Sequence, residues 1–177
     1  MPRDTGGQLP SGVKLRAGLR AGDLGIVMGL HGRQFLAEFG FGTRFEGYLA
    51  EGLGRFAKVY DPDFDCIWVA EDRDGVPVGT VSIVRASEVE AQLRWFVVDA
   101  SARGMGVGTA LLGAALEFAR SRGYASIYLW TVEELHAALH LYRKAGFSLT
   151  EEKLNSDWAE RSVPEQRYDL NLNRPPQ

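Results

Sequence analysis

Apolar positions recur along this chain with two different periods. Spacing of three to four residues marks DLGIVMGLHGRQFLAEFG and TRFEGYLAEGLGRFAKVY as amphipathic helices, although each interior glycine weakens a helix by about 1 kcal/mol against alanine. β-rich runs predict strands at Val13 to Leu19, at CIWVAED, at PVGTVSIVRA and at VEAQLRWFVV, the last apolar on both faces towards its end like a central strand. Arg73, Asp74, Gly75 and Val76 join the second and third runs, and Asp74-Gly75 is a turn pair that favours a hairpin. From about Gly106 to Arg122, Val107, Leu111, Ala115 and Phe118 recur at helical spacing before a stop at Gly123, a helix of about 25 Å. The strand ASIYLWT follows.

The next helix is predicted to open on a capping box of Thr131 and Glu134, with Trp130 and Leu135 stapled across it. Leu135, Ala138, Leu139 and Tyr142 then form one buried stripe up to Gly146, and strands near FSLTEEK and QRYDLNL finish the chain. Residues 1–12 lack an apolar period and read as a flexible tail or an expression remnant. With no repeat, linker or second core, residues 13–174 read as a single mixed α/β domain.

Composition narrows the function classes. The chain has 177 residues, 20 Lys and Arg against 23 Asp and Glu, and a net charge of −3, so it offers no electrostatic footprint for nucleic acid. The single cysteine, Cys66, can build neither a disulfide scaffold nor a cysteine metal cluster. No run approaches the roughly 18 apolar residues of a membrane span, and MPRDTGGQLPSG lacks the apolar core of a secretory signal, so the expectation is a soluble, cytoplasmic protein with no membrane partner.

Glycine, 21 residues of 177, is concentrated where it matters for chemistry. ARGMGVGT places Gly104, Gly106 and Gly108 where a strand hands over to a helix. Several backbone N–H groups converge on one anion most readily where no Cβ stands in the way, and the helix N-terminus adds unpaired N–H groups and the positive end of its dipole. Arg103 adds a full charge. The other reading is a tight turn that needs glycine for its backbone alone. A Walker loop is disfavoured because no Gly-Lys precedes a Ser or Thr here. The dinucleotide fingerprint is disfavoured because position 109 is Thr and no acid ends the next strand.

From Gln92 to Phe147, LRWFVVDASARGMGVGTALL followed by YRKAGF resembles the acetyl-CoA-binding core of the GNAT N-acetyltransferases. HGRQFLAEFG and QLRWFVV further resemble the acetyltransferase half of bacterial proteins that fuse such a domain to a MarR-type regulator, for which this chain has no room. The resemblance implies a mostly antiparallel central sheet with a splayed parallel strand pair, flanked by helices. It implies acetyl-CoA as cosubstrate, held at its pyrophosphate by Arg103, Gly104, Met105, Gly106, Val107, Gly108 and Thr109. The backbone of Phe96, Val97 and Val98 would pair with the pantetheine arm as an added strand.

Tyr142 stands where family members often carry a general acid, two residues before the Lys-x-Gly-Phe ending; by itself it would read as a core aromatic. Placed eleven residues beyond Thr131, it should lie about 16 Å from the phosphate edge, within pantetheine reach of the sulfur. There a phenol with pKa near 10 can lend a proton to a thiolate of conjugate pKa near 8.5. Glu90, Gln92 and Arg94 share one strand face at about 26, 20 and 13 Å behind that edge. Gln92 takes the level where some relatives carry a catalytic glutamate, and glutamine is no base. Glu90 is the nearest carboxylate and could act through a water. It reads equally as a solvated strand-end acid, and release of the proton to bulk water needs no residue at all.

On the acceptor side the candidates are His31, Phe35, Gln92 and Trp130. Phe35, Phe39, Phe41, Phe45 and Tyr48 serve as core or as a wall for an acceptor's apolar part. Asp157, Trp158 and Glu160 read as a solvated loop or as an acidic rim for a cationic amine. His136 and His140, one turn apart without an HExxH pattern, read as helix surface rather than as metal ligands, and no metal is expected. The reading is direct acetyl transfer to a primary amine of an unidentified acceptor, small molecule or protein, because no Cys–His nucleophile pair is present. The alternative is a non-catalytic acyl-CoA-binding sensor. A homodimer is compatible with either.

Overall fold

The computed structural model describes residues 12–159 and 161–173, so the tail expected over residues 1–12 and the side chain of Glu160 lie outside or at the limit of the described residues. In chain order the elements are β1 (Lys14–Ala17), α1 (Asp23–Phe39), α2 (Thr43–Val59), β2 (Cys66–Glu71), β3 (Pro77–Arg85), β4 (Glu90–Val98), α3 (Val107–Ser121), β5 (Ser126–Val132), α4 (His136–Lys144), β6 (Ser148–Asn155) and β7 (Val163–Asn171). The strands form one sheet in the order β1-β2-β3-β4-β5-β7-β6, antiparallel throughout except for β4 and β5. Short turns suffice for the antiparallel neighbours, as between β2 and β3, where Asp72 Oδ1 accepts the amides of Asp74 and Val76 at 2.9 and 2.8 Å. The parallel pair needs a crossover, and α3 supplies it.

One face of the sheet is covered by α3 and α4, whose Leu111, Ala115, Ala119, Leu139 and Tyr142 pack with Val81, Ile83 and Leu129. The other face carries α1 and α2, whose Val27, Phe35, Leu49, Leu53 and Phe56 pack with Ile67, Trp95 and Val132. Both glycine-bearing helices form, because their packed apolar faces outweigh the propensity cost. At Gly52 in α2 an added Cβ would stand 3.0 Å from Arg94 Nη2, so glycine there leaves room for the end of the Arg94 side chain.

A β-bulge in β4 organises everything around it. Thr80 pairs with Val97 but Ser82 with Arg94, so Val81 faces both Trp95 and Phe96, and Trp95 takes the left-handed φ of 49°. Thr80 Oγ1 donates to the Trp95 carbonyl at 2.8 Å and holds the bulge. The extra residue switches the alternation of side chains. Ala91 and Leu93 pack in the α3 layer before it, whereas Phe96 and Val98 do so after it.

The expected capping box does not form. Thr131 belongs to β5, its hydroxyl has no partner among the described residues, and α4 begins at His136 after Leu135 with no side-chain cap. Pairing of β5 with β7 continues through Val132, so the strand ladder claims the residues that a capping box would need. Glu134 instead meets Arg161 at 3.4 Å, and Trp130 lies beneath Lys153 Nζ, 3.9 Å from the ring centroid, rather than stapling the helix. Tyr142 is consequently six residues into α4, about 9 Å along its axis rather than the 16 Å expected from a start at Thr131.

Candidate active site

The turn after β4 is built by local capping. Asp99 accepts the Ser101 amide at 3.0 Å and its hydroxyl at 2.6 Å, bonds that hold its carboxyl below the usual range, and a single tight helical turn spans Ala100–Ala102. Gly104 and Gly106 then take φ of +75° and +79°, and a Cβ built on either would meet nothing within 4 Å. The first bond of α3 runs from the Ala110 amide to the Gly106 carbonyl at 3.0 Å, so the amides of Val107, Gly108 and Thr109 lie outside helix bonding. At Gly108 a Cβ would stand 3.0 Å from Leu141 Cδ1, so glycine lets α3 close against α4.

These glycines border a cavity of about 920 Å³ that runs between the end of β4, the start of α3 and the first turns of α4. Its strand wall is unusual in being unpaired. β4 and β5 are in register only from Glu90–Ser126 to Gln92–Tyr128, and beyond that they diverge. The β5-facing edge of Phe96, Val97 and Val98 therefore has main-chain polar groups without a strand partner at the cavity. Unpaired amides at a helix N-terminus, glycines whose missing Cβ faces open space, and an unpaired strand edge together fit an extended ligand that carries phosphate. Met105 is exposed and does not border the cavity. Arg103 crosses it: its Nη2 donates to Gln34 Oε1 at 2.8 Å and Glu38 Oε1 at 2.6 Å, and its Nε donates to the Val98 carbonyl at 3.2 Å. Sequence reasoning missed Gln34 and Glu38, because nothing in the spacing brings α1 to the glycine turn.

A second, smaller pocket of about 90 Å³ passes through the gap between β4 and β5. His31, Phe35, Gln92 and Trp130 all border it, as does Tyr142. Phe35, Phe96 and Leu135 border both cavities, so the two lie side by side there. Tyr142 borders the smaller pocket, its ring 5.8 Å from Phe96 and 5.8 Å from Phe147, with no hydrogen-bond partner for its hydroxyl among the described residues. Burial raises its pKa well above the usual 10, so the phenol stays protonated.

His31 is buried, stacks on Phe35 at 5.5 Å and donates from Nδ1 to the Val27 carbonyl at 2.9 Å. Burial lowers its pKa to about 4, against a smaller opposing effect of that hydrogen bond. Glu90 does not border the pocket. It pairs with Arg167 at 3.2 Å, and Arg167 also holds Asp169 at 2.7 Å. Trp158 is buried against Phe41, Phe45 and Tyr48 and forms an aromatic wall rather than part of an acidic rim. His136 and His140 are exposed at the mouth of the larger cavity, on the first turns of α4. Cys66 is fully buried, and burial pushes its thiol up to about 11.

The profile of the Acetyltransferase (GNAT) family matches residues 33–147, the span that contains the bulge, the glycine turn, α3 and Tyr142. The chain is 36% identical over 99 residues to human N-acetyltransferase 8B, covering 53% of this chain and 43% of that protein. It is 30% identical over 154 residues to mycothiol acetyltransferase of Cellulomonas flavigena, covering 81% of this chain and 42% of that protein. The chain thus spans less than half the length of these two relatives. The spermidine N-acetyltransferase of Vibrio cholerae, solved in complex with CoA and spermine, superposes with a TM-score of 0.68 at 22% identity, over 90% of this chain and 95% of that one. A profile match over most of the chain, on top of a splayed β4–β5 pair that opens onto a glycine turn, places this protein in the GNAT acetyltransferase family.

Proposed function

We propose that this chain is an acetyl-CoA-dependent N-acetyltransferase that passes an acetyl group directly from the thioester to a primary amine. The observation that carries the reading is a pair of neighbouring cavities that share Phe35, Phe96 and Leu135, one running to the glycine turn and the other through the strand gap beside Tyr142. Coenzyme A, which the Vibrio cholerae neighbour binds, would lie along the larger cavity and would supply the activated acetyl group.

The protein's own part is to bind, aim and move protons. The amides of Val107, Gly108 and Thr109 would take the pyrophosphate, and the free edge of Phe96, Val97 and Val98 would take the pantetheine amides. Arg103 would turn its guanidinium from Glu38 towards phosphate. Tyr142, kept neutral by burial, would protonate the departing thiolate and be refilled by water. Gln92 borders the acceptor pocket but has no basic lone pair to offer. Glu90 is held by Arg167, and His31 is neutral down to about pH 4 and too weak a base to keep the ammonium proton. We therefore route that proton to water. Residues 13–174 are read as one domain on the strength of a single sheet built from strands between Lys14 and Asn171. The finer likeness to the acetyltransferase half of MarR fusions rests on HGRQFLAEFG and QLRWFVV alone.

The test is to mix the protein with acetyl-CoA and a panel of amines and to follow free thiol. Amine-dependent thiol release is expected. Tight coenzyme A binding without turnover on any amine would overturn the reading in favour of a sensor.

A further inference from the structure

The pocket beside Tyr142 has a distinctive electrostatic make-up. Among the described residues that border it, Arg94 alone carries a formal charge at neutral pH, and no carboxylate does. Arg94 also differs from the arginines around it. Arg103 is matched by Glu38, Arg161 by Glu134, and Arg167 by Glu90 and Asp169. Arg94 has no carboxylate partner among the described residues. Its Nη2 lies 3.4 Å from the Tyr48 hydroxyl and its Cζ 4.8 Å from the centre of the Trp95 ring. The missing side chain of Gly52, 3.0 Å from Nη2, leaves the guanidinium its room.

Three other residues of the pocket, each buried, carry polar atoms without partners among the described residues: the indole nitrogens of Trp95 and Trp158 and the hydroxyl of Thr131. All three can donate, and neither indole can accept. Much of the remaining wall is aromatic, with Phe35 stacked on Phe45 at 4.7 Å and Trp158 at 5.9 Å from Phe45 and 5.3 Å from Tyr48. A volume of about 90 Å³ holds several water-sized groups at roughly 10 to 15 Å³ each, the scale of one amino acid.

We infer that Arg94 is the specificity residue of the acceptor pocket, where it binds the carboxylate of an apolar or aromatic amino acid whose side chain lies on Phe45, Tyr48 and Trp158. This rests on the reading of the site as an N-acetyltransferase. The guanidinium fork matches a carboxylate in two parallel hydrogen bonds, whereas the second ammonium of a polyamine or the several ammoniums of an aminoglycoside would meet an unpaired positive charge and no carboxylate. With its carboxylate on Arg94, the acceptor has its amine free to enter the gap between β4 and β5.

The test is a matched pair of acceptors that differ only in the carboxylate, phenylalanine against 2-phenylethylamine and leucine against 3-methylbutylamine. Spermidine and kanamycin complete the panel. Thiol release from acetyl-CoA is measured and kcat/KM is compared per deprotonated amine. Phenylalanine and leucine should exceed their decarboxylated partners at least tenfold, and Arg94→Gln should bring both ratios close to one. If Arg94→Gln no longer binds coenzyme A, Arg94→Lys replaces it. Lysine keeps the charge but lacks the two-pronged fork, and the ratios should again fall. Turnover that favours the decarboxylated amines, spermidine or kanamycin overturns the acceptor class and leaves the enzyme intact. So does a ratio that survives the loss of Arg94. Absence of thiol release with every amine overturns the enzyme and the acceptor class together.

Discussion

Tyr142→Phe separates a chemical role from a structural one, because the geometry predicts opposite outcomes for the two. The substitution deletes one oxygen from a residue that is 4% exposed, and that oxygen bonds to no described residue. The ring contacts with Phe96 and Phe147 survive. No hydrogen bond is lost, so folding stability should change by less than about 0.5 kcal/mol, or about 2 °C in Tm for a chain of this size. Coenzyme A affinity should hold as well, because Tyr142 does not border the larger cavity. Turnover should not hold. A positioned general acid contributes roughly 10²- to 10⁴-fold, which corresponds to about 3 to 5 kcal/mol of barrier at 1.36 kcal/mol per decade. We expect kcat to fall about 100-fold, the lower end of that range.

The pH profile adds a second readout. Burial raises the Tyr142 pKa above 10, so wild-type activity should climb as the amine deprotonates and show no descending limb below about pH 10. The assay is thiol release between pH 6 and pH 10 at saturating acetyl-CoA, with calorimetric coenzyme A titration and thermal melts on the same preparations. A Phe variant with unaltered kcat would refute the general-acid role. A variant that loses kcat and melts far lower would assign Tyr142 to the core.

Gly106→Val forces a branched side chain into φ of +79°, at a cost of at least about 1 to 2 kcal/mol, and aims its Cβ at the cavity. Tm should drop by a few degrees and the coenzyme A Kd should rise at least tenfold, and a folded variant with native Kd would remove the phosphate cradle. His31 gives an acid-labile fold. Its folded pKa of about 4 lies below the unfolded value near 6.5, so the unfolded chain binds the extra proton between them. The stability is fully present above about pH 6.5 and is lost as pH falls towards 4, on the order of 3 kcal/mol. His31→Phe should flatten that part of the stability profile, and an equal slope in both proteins would refute the assignment. Cys66, the single cysteine, is buried with its thiol pushed up to about 11, so a thiol reagent should titrate one group per chain only after denaturation. Rapid reaction of the native protein would contradict that burial.

Local chemistry made much of the site readable in advance. Gly104 and Gly106 do take the left-handed φ that a strand-to-helix turn needs, and Asp99 caps the turn through its nearest neighbours. Both glycine-rich helices and each of the seven strands lie where their apolar periods put them. The start of α4 was misread because the Thr131 and Glu134 pattern is a local preference, and the β5–β7 ladder overrides it through Val132. The acidic loop likewise became an aromatic wall at Trp158, because α2 brings Phe45 and Tyr48 against it.

Period, capping and turn chemistry act over a few residues, and so the sequence by itself determined the elements, their order and the glycine turn. Tertiary structure alone decided the bulge at Trp95, whose one extra residue turns Phe96 and Val98 into the α3 layer, and the place, after Gln92, at which β4 parts from β5. It also decided the contact of Arg103 with Glu38 and the isolation of Arg94 beside Gly52. These depend on pairings between segments far apart in the chain, where the register of one strand against another, and not any local preference, sets which side chains meet.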